Sequence, residues 1–190
     1  MTKPFISNEK YETTGETKDY FGITLHRIKA KIAIGVIAAG TIGGWVEKES
    51  NISVSGNAWV YGNACVSGNA RVYGDARVYG NAWVYGNACV FGDACVFGNA
   101  CVSGDAWVYG AYRHITISPI GQEGGCLTAF VERDGTIRLN RGCFSGTIDE
   151  LTAKVAITHG ESGHAITYRL AVDLIRSRLD TKATEEGDVK

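Results

Sequence analysis

Valine recurs at every sixth position from Val54 to Val108, ten times without interruption. Alanine follows four positions after each of the first nine valines, and glycine followed by Asn or Asp stands between them, giving the unit V-x-G-[ND]-A-x. Neither the 3.6-residue period of a helix nor the two-residue alternation of an ordinary strand produces a period of six. The region therefore needs a fold in which six residues form one side of a repeating shape.

Each unit is predicted to be a short strand followed by a corner. Because side chains alternate along a strand, the valine and the alanine two positions before it point inward, and the x residues point outward. Glycine permits a sharp corner, and Asn or Asp tolerates the left-handed region better than most residues. Three units close a triangular coil, and successive coils stack as parallel strands about 4.8 Å apart. Val72 and Val90 are expected inside this stack.

The unit resembles the hexapeptide repeat of left-handed parallel β-helices. Upstream, Val36 and Ile42 share the register of Val54, whereas Val46 and Ile52 are offset by four, which predicts an irregular first coil. The fold class is therefore mainly β: a left-handed parallel β-helix with an N-terminal cap and a small C-terminal α+β module. We expect cap strands in 1–33, the β-helix in 34–112, the α+β module in 113–180 and a polar tail in 181–190.

The C-terminal module is predicted to contain a β-hairpin and two helices. Residues 115–118, 127–133 and 136–139 have strand character, and Asp134-Gly135 is a hairpin turn signal. Thr147 and Glu150 have capping-box spacing for a helix that ends near 159–160. A second helix over 162–179 carries an apolar stripe of Ile166, Leu170 and Leu174.

Composition and charge narrow the classes of protein that remain. No apolar run approaches the roughly 20 residues of a membrane-spanning helix, and the N-terminus lacks the apolar region of a signal peptide. We therefore expect a cytoplasmic protein whose six cysteines are free thiols. A net charge of -1 gives no electrostatic argument for nucleic acid, and Arg71, Arg77 and Arg113 are too few to form a phosphate-binding groove.

Two motifs flank the repeats. Gly43-Gly44-Trp45 precedes them, and Gly142-Cys143-Phe144 follows within GTIRLNRGCFSGTIDELTAKVAITHG. With these motifs the chain resembles a family of uncharacterised tailed-phage and prophage proteins that carry hexapeptide repeats, some of which bear a transferase label. The resemblance covers nearly the whole chain. It implies a phage accessory protein in the host cytoplasm and assigns no reaction.

Left-handed β-helices also include trimeric acyltransferases that use an acyl-CoA donor and a histidine base. Residues 54–110 contain no histidine, so His114, just after the last repeat, is the one weak catalytic candidate. His159, Glu161 and His164 lie close in sequence, but a turn between helices explains them better than a zinc site. GQEGG at 121–125 is interpreted as a flexible connector. No metal and no cofactor is predicted.

The outward x positions give three walls that are rich in rings and poor in charge. Taking every third repeat as one face, the walls are Trp59-Tyr61/Arg77-Tyr79/Cys95-Phe97, Cys65-Ser67/Trp83-Tyr85/Cys101-Ser103 and Arg71-Tyr73/Cys89-Phe91/Trp107-Tyr109. Rings at this spacing either stack on one another or form an interface, and interfaces favour aromatics and Arg over Lys and Glu. The interface candidates are Trp59, Tyr61, Tyr73, Arg77, Tyr79, Trp83, Tyr85, Phe91, Phe97, Trp107 and Tyr109.

These patterns favour a binding function. We expect a phage-encoded accessory protein that self-associates through its walls, as a trimer first and a dimer second, and that engages a host protein or a small ligand. The acyltransferase is the alternative, and a structural phage component is a second alternative. Which wall forms the interface stays open at this point.

Overall fold

A computed structural model describes residues 6–110 and 113–179 of the chain. The described residues of 1–105 and 109–111 form one compact unit, and those of 106–108 and 112–190 form another. The predicted polar tail at 181–190 lies outside the described residues.

Short strands recur at the spacing of the repeat and form a parallel β-solenoid. They are β4 Trp59–Val60, β5 Cys65–Val66, β6 Arg71–Val72, β7 Arg77–Val78, β8 Trp83–Val84, β9 Cys89–Phe91, β10 Cys95–Val96, β11 Cys101–Val102 and β12 Trp107–Tyr109. Strands three apart pair in parallel, β4 with β7 and β10, β5 with β8 and β11, and β6 with β9. Val60 lies beside Val78, the valine of the third repeat after its own, so three repeats make one coil. The hand of the coil stays a prediction.

The inward column has the predicted composition. All nine valines from Val60 to Val108 are fully buried, Val72 and Val90 among them, and the nine alanines from Ala58 to Ala106 are at most 1 % exposed. At the corners, every glycine of the series from Gly56 to Gly110 has a φ between +57° and +75°, where a side chain would be strained. The repeat therefore encodes both the core and the corner.

Asn and Asp at the corners form ladders along the coil. The Asn63 amide donates to Asn81 Oδ1 at 3.4 Å, and Asn81 donates to Asn99 Oδ1 at 3.2 Å. A second ladder runs from Asn69 to Asn87 and on to Asp105, with donor–acceptor distances of 3.2 and 3.0 Å. An amide both donates and accepts, so a column of amides satisfies itself rung by rung. The ladders therefore give a second reason for Asn or Asp at the corners, in addition to the ability of these residues to adopt a sharp turn.

The first coil follows the offset register. Val46 pairs with Val66, and Ile52 bridges to Val72, so both pairs are further apart in sequence than Val60 and Val78 are. Two extra residues therefore lie between Ile52 and Val60, and they displace Val54 from the column to 43 % exposure. The expectation that Val54 is the first buried valine of the column is therefore wrong, because the regular column begins one repeat later, at Val60. Val36 and Ile42, which share its register, are also exposed, at 84 and 45 %.

A hairpin precedes the solenoid and pairs with its first strand. β1 Tyr11–Tyr20 pairs antiparallel with β2 Ile23–Ala30, and β2 pairs antiparallel with β3 Ile42–Val46. β3 in turn lies parallel to β5, and a single 3-10 turn, Glu49–Asn51, follows it. The hairpin thus occupies the outer edge of β3, where an open strand would invite association.

The Gly43-Gly44-Trp45 motif is explained by close packing of β3 on the next coil. A Cβ at Gly43 would lie 2.8 Å from the Val60 carbonyl oxygen, and one at Gly44 would lie 2.6 Å from the Ala64 carbonyl oxygen. Both distances are shorter than real side-chain contacts. Only glycine fits at these two positions without moving the neighbouring backbone.

The second unit is an antiparallel sheet with two helices. Its strands are β13 His114–Ile120, β14 Gly125–Val131, β15 Ile137–Arg141 and β16 Phe144–Thr147, paired in chain order. The predicted turn at Asp134-Gly135 joins β14 to β15, which confirms the hairpin. β16 was not expected from the sequence.

Helices α1 Ile148–His159 and α2 Gly163–Leu179 follow the sheet. The capping box is confirmed: Thr147 Oγ1 accepts from the Glu150 N–H, and a Glu150 carboxylate oxygen accepts from the Thr147 N–H at 2.8 Å. In α2 the predicted stripe points outward, with Ile166, Leu170 and Leu174 between 51 and 65 % exposed. The buried face consists of Ala165, Tyr168, Ala171, Val172, Ile175 and Leu179.

The six cysteines all lie within the described residues and are free thiols. Within residues 6–110 and 113–179, neither helix is long and apolar enough to cross a membrane.

Candidate functional site

The first wall, formed by β4, β7 and β10, carries a ladder of aromatic rings that is open to solvent. Tyr61 meets Tyr79 edge-on at a centroid distance of 6.4 Å, and Tyr79 stacks on Phe97 at 5.5 Å. Burial raises the pKa of the Tyr61 hydroxyl, while Tyr79 and Phe97 remain 37 and 46 % exposed. We call Tyr61, Tyr79 and Phe97 the first-wall ladder. Its rings stabilise one another and still present apolar surface.

Trp59 begins the same wall but is not part of its surface. Its side chain is fully buried, and its ring meets the Tyr11 ring edge-on at 6.2 Å. The expectation that Trp59 is an exposed interface residue is therefore wrong, because the N-terminal segment covers it.

The second wall, formed by β5, β8 and β11, is partly covered by the tip of the β1–β2 hairpin. Tyr20 meets Trp83 edge-on at 4.4 Å, and Phe21 lies nearly parallel to the Trp83 ring at 6.3 Å. The Tyr85 ring packs against Trp83 at 4.9 Å, and the Tyr85 hydroxyl accepts from the Cys101 thiol at 3.7 Å. Much of this predicted surface is thus engaged within the chain.

A second ring column follows the third wall. Tyr73 stacks on Phe91 with centroids 4.8 Å apart and planes 5° apart, and Phe91 meets Tyr109 at 5.0 Å. Tyr73 and Phe91 are half-buried, whereas Tyr109 is 56 % exposed. The Arg71 guanidinium lies 6.0 Å from the Tyr73 ring centroid. Trp107, the remaining interface candidate, lies under the Arg133 guanidinium at 4.5 Å.

The solenoid corners and walls carry charges that have no ion-pair partner among the described residues. Arg71 and Arg77 are exposed, and so are the carboxylates Asp75, Asp93 and Asp105. The ion pairs within residues 6–110 and 113–179 involve other side chains. Lys and Glu are absent from residues 54–110. The solenoid therefore offers both signs of charge to a neighbour.

His114 begins strand β13 and lies opposite Phe130 in the β13–β14 register. It is 8 % exposed, so it is a strand residue and not the partly exposed linker histidine that the sequence suggests. A general base must reach the proton it removes, and so little exposure leaves this imidazole poorly accessible to a substrate.

His159 and His164 flank the turn between the helices, with ring centroids 5.7 Å apart. His159 also stacks on Tyr168 at 5.8 Å. Within residues 6–110 and 113–179, no three His, Cys, Asp or Glu side chains are grouped so as to hold a metal ion. Residues 160–162 form the turn between α1 and α2, as the interpretation of THGESGH as a turn between helices predicts.

A cleft of about 330 Å³ opens in the C-terminal module, between the strand turns and the helices. Its apolar lining residues are Phe144, Leu151, Val155 and Tyr168. Its polar lining residues are Gln122, Glu123, Arg141, Cys143, Lys154, Thr158 and His159, and Cys143 is exposed. Volumes near this value are at the lower end of the range for small-molecule sites. No sequence pattern predicts this cleft.

Arg141 lies against the β13–β14 turn, GQEGG at 121–125, for which the sequence predicts a flexible connector. A Cβ at Gly125 would lie 2.7 Å from Arg141 Cζ, and one at Gly121 would lie 3.0 Å from Arg141 Nη2. The glycines of GQEGG therefore make room for the guanidinium. This combination of a glycine-rich turn and a distant arginine is visible only once the strands are paired.

The coil thus defines a β-solenoid repeat protein. Three overlapping segments, residues 58–74, 64–80 and 70–86, match the family model described as YdcK beta solenoid repeat. The match falls on coils whose valine column and glycine corners are described above, and it supports a repeat β-helix family. A search of curated proteins found no match to the chain.

Proposed function

We propose that this chain is a phage-encoded accessory protein of the cytoplasm that acts by binding, and that it self-associates through the first wall of its solenoid. The phage assignment depends on the resemblance of the Gly43-Gly44-Trp45 and Gly142-Cys143-Phe144 motifs. The partner on the first wall is a second copy of the same chain. A threefold bundle is the first expectation and a dimer the second.

The observation that carries this proposal is the exposure of two consecutive rings beside an unpaired arginine. Tyr79 and Phe97 stack on each other and remain 37 and 46 % exposed, and Arg77 shares their wall without a carboxylate partner among the described residues. Interfaces are enriched in Tyr, Phe and Arg and depleted in Lys and Glu. The second wall is less suitable, since Tyr20 and Phe21 already contact Trp83.

Charge complementarity favours a second copy as the occupant. Asp75 and Asp93 stand at the corners just before Arg77 and Cys95, so each copy presents cations and carboxylates along the same wall. A twofold interface brings one patch against the same patch of the partner, so a wall with both signs of charge favours the dimer, whereas a threefold bundle would pair different patches of neighbouring copies. Arg77 of one copy is then expected to meet Asp75 or Asp93 of the other.

Sedimentation velocity at micromolar concentration tests the proposal. The wild-type chain, of 20.4 kDa, is expected to sediment as an oligomer, and Phe97→Glu is expected to shift it toward the monomer. The matched control is Phe21→Glu, in which the same carboxylate replaces a phenylalanine that is 87 % exposed at the hairpin tip. A wild-type monomer, or a Phe97→Glu variant that assembles like the control, would overturn the proposal.

In this proposal the C-terminal module provides the site for a further ligand. Its cleft combines apolar lining residues with two cations, Arg141 and Lys154. This is the arrangement of a small-molecule site, in which a few polar groups orient a ligand that the apolar lining desolvates. The alternative acyltransferase function gains no support from His114, whose ring is almost wholly buried.

A further inference from the structure

We propose that the C-terminal cleft binds a small ligand with one anionic head group, a carboxylate or a phosphate, and an apolar body. This inference deepens the proposed binding function by naming the ligand class of the module, and it does not depend on self-association. The cleft is about 330 Å³ in volume and is lined by residues of the sheet turns and of both helices.

Arg141 provides the site for the anionic head. Its side chain is 18 % exposed, and its Nη2 donates to the Ile120 carbonyl oxygen at 3.2 Å. Its Nε is buried and has no hydrogen-bond partner. A guanidinium carries five N–H donors in a planar fork that matches a carboxylate or phosphate. The buried Nε lies on the Gly125 side, so the donors offered to a ligand are those of Nη1, which lies 3.6 Å from the Glu123 carboxylate, and the contact with Gly125 holds the guanidinium in place.

The surrounding charge also favours an anion. Lys154 has no ion-pair partner among the described residues and lies 5.5 Å from the centre of the Phe144 ring, and His159 lines the same cleft. Glu123 is the single carboxylate of the lining. It lies 3.6 Å from Arg141 Nη1, and its side chain is 84 % exposed. Because the Glu123 side chain is exposed and the distance is long, this pair holds Glu123 only weakly, so an incoming anion can displace it.

The apolar body has its own surface in the cleft. Leu151 and Val155 lie one turn apart on α1, and the rings of Phe144 and Tyr168 stand at the cleft as well. The Lys154 ammonium lies over the Phe144 ring, so a cation and an apolar lining residue are neighbours in the cleft. An alkyl or aryl chain attached to the anionic head would therefore lie along Phe144, Leu151 and Val155.

Octanoate and octyl phosphate are suitable probes. The matched controls are 1-octanol, which lacks the charge, and inorganic phosphate, which lacks the chain. Cys143 is exposed at the cleft, so the rate of its alkylation by iodoacetamide, followed by mass spectrometry, reports occupancy. The Cys89 peptide from the solenoid serves as an internal control in the same sample. Octanoate or octyl phosphate is expected to slow the alkylation of Cys143 alone. The probe that protects Cys143 at the lower concentration shows whether the site prefers a carboxylate or a phosphate head group.

Variants in the lining are expected to act in opposite directions. Arg141→Gln and Lys154→Gln should each weaken octanoate by about tenfold or more, because charge-assisted hydrogen bonds are the stronger class. Glu123→Gln should tighten octanoate, because it removes the competing carboxylate. Lys154 is exposed on α1, so its variant is expected to fold even if Arg141→Gln does not. Arg176→Gln, on an exposed part of α2 outside the cleft, is the control.

Three results would overturn this proposal. The first is equal protection of Cys143 by 1-octanol and by octanoate. The second is an octanoate affinity that is unchanged in both Lys154→Gln and Glu123→Gln. The third is no protection of Cys143 by octanoate or octyl phosphate at concentrations up to about 10 mM, tenfold weaker than a millimolar site. Sedimentation of the same samples separates this outcome from failure of self-association, since Lys154→Gln leaves the first-wall ladder intact.

Discussion

The Trp59 indole packs edge-on against the Tyr11 ring, with centroids 6.2 Å apart. Both side chains are fully buried. Burial raises the pKa of the Tyr11 hydroxyl, which donates to the Glu49 carbonyl oxygen at 2.8 Å. Strand β1 is thus joined to β4 by an aromatic contact and to the 3-10 turn Glu49–Asn51 by a hydrogen bond.

Tyr11→Ala is expected to lower the free energy of unfolding by about 3 to 5 kcal/mol, because it leaves a cavity over Trp59. Tyr11→Phe keeps the ring and removes only the hydrogen bond to Glu49, so it should cost about 0.5 to 1.5 kcal/mol. Chemical denaturation of both variants gives the comparison. Equal losses in the two variants would mean that the ring contact contributes nothing.

Gly44→Ala is expected to destabilise the chain by about 1 to 3 kcal/mol, the usual cost of overpacking. The added Cβ would lie 2.6 Å from the Ala64 carbonyl oxygen and from Val60 Cγ1. Gly163→Ala is the control, since a Cβ there meets no atom within 4 Å. The melting temperatures of the two variants should therefore move differently. Equal stability of both would contradict the close packing of β3.

The asparagine ladder predicts a difference between an interior and a terminal rung. Asn81 donates to Asn99 and accepts from Asn63, whereas Asn99 takes part in one of these bonds. Asn81→Ala should therefore cost more than Asn99→Ala, with about 0.5 to 1.5 kcal/mol for each bond lost. Urea denaturation measures the difference. An equal loss in both variants would argue against coupling along the ladder.

Lys10 predicts a pH dependence of stability. Its ammonium is buried and donates to the carbonyl oxygens of Ser53 and Gly56, at 3.0 and 3.1 Å. Burial lowers the pKa of Lys10 from 10.5 to about 8, while the nearby Asp75 carboxylate acts in the opposite direction. Above pH 8 the folded chain therefore binds fewer protons at this residue than the unfolded chain does.

Lys10 should consequently make the free energy of unfolding rise with pH from about 8 toward 10, since stability increases wherever the unfolded state binds more protons, while the raised pKa values of Cys126 and Tyr11 act in the opposite direction. Lys10→Met removes only the Lys10 titration, so the stability difference between the wild type and Lys10→Met should change in favour of the wild type as the pH rises over this range. Urea denaturation at a series of pH values tests both. A wild-type slope that persists in Lys10→Met would assign the effect to another group.

The solenoid was predictable because its code is local and repeated. Valine, alanine and glycine each have one role in every unit, and the structure buries Val72 and Val90 as expected. The start of the coil was not predictable to the residue. Two additional residues before Val60 change the register, and the carbonyl groups that they expose are satisfied by Lys10, more than 40 positions away.

The second helix shows a different limit. Its sequence carries two apolar stripes, so the period establishes a helix without deciding which stripe faces the sheet. Tyr168 and Ile175 pack inward, while Leu170 on the opposite stripe is 65 % exposed. The choice depends on tertiary contacts with β13 and β14, which no local pattern contains.

The cleft was missed because its residues come from separate parts of the module. Arg141 ends a strand, Lys154 and His159 lie on α1, and Glu123 belongs to a turn. The sequence marks some of them separately, Glu123 in GQEGG and His159 in THGESGH, but it contains nothing that brings them together. The wall residues were found more readily, yet Trp59 was misplaced because the segment that covers it precedes it by almost 50 positions.

The pairing of each strand with the strand three repeats later sets a rule for how the gene can change length. Loss or gain of three whole repeats keeps every later side chain on its wall and preserves the ring and amide columns. Loss or gain of a single repeat leaves the valine core intact but rotates everything downstream by one wall. Recombination between such similar repeats would then vary the surface of the rod while leaving its interior unchanged.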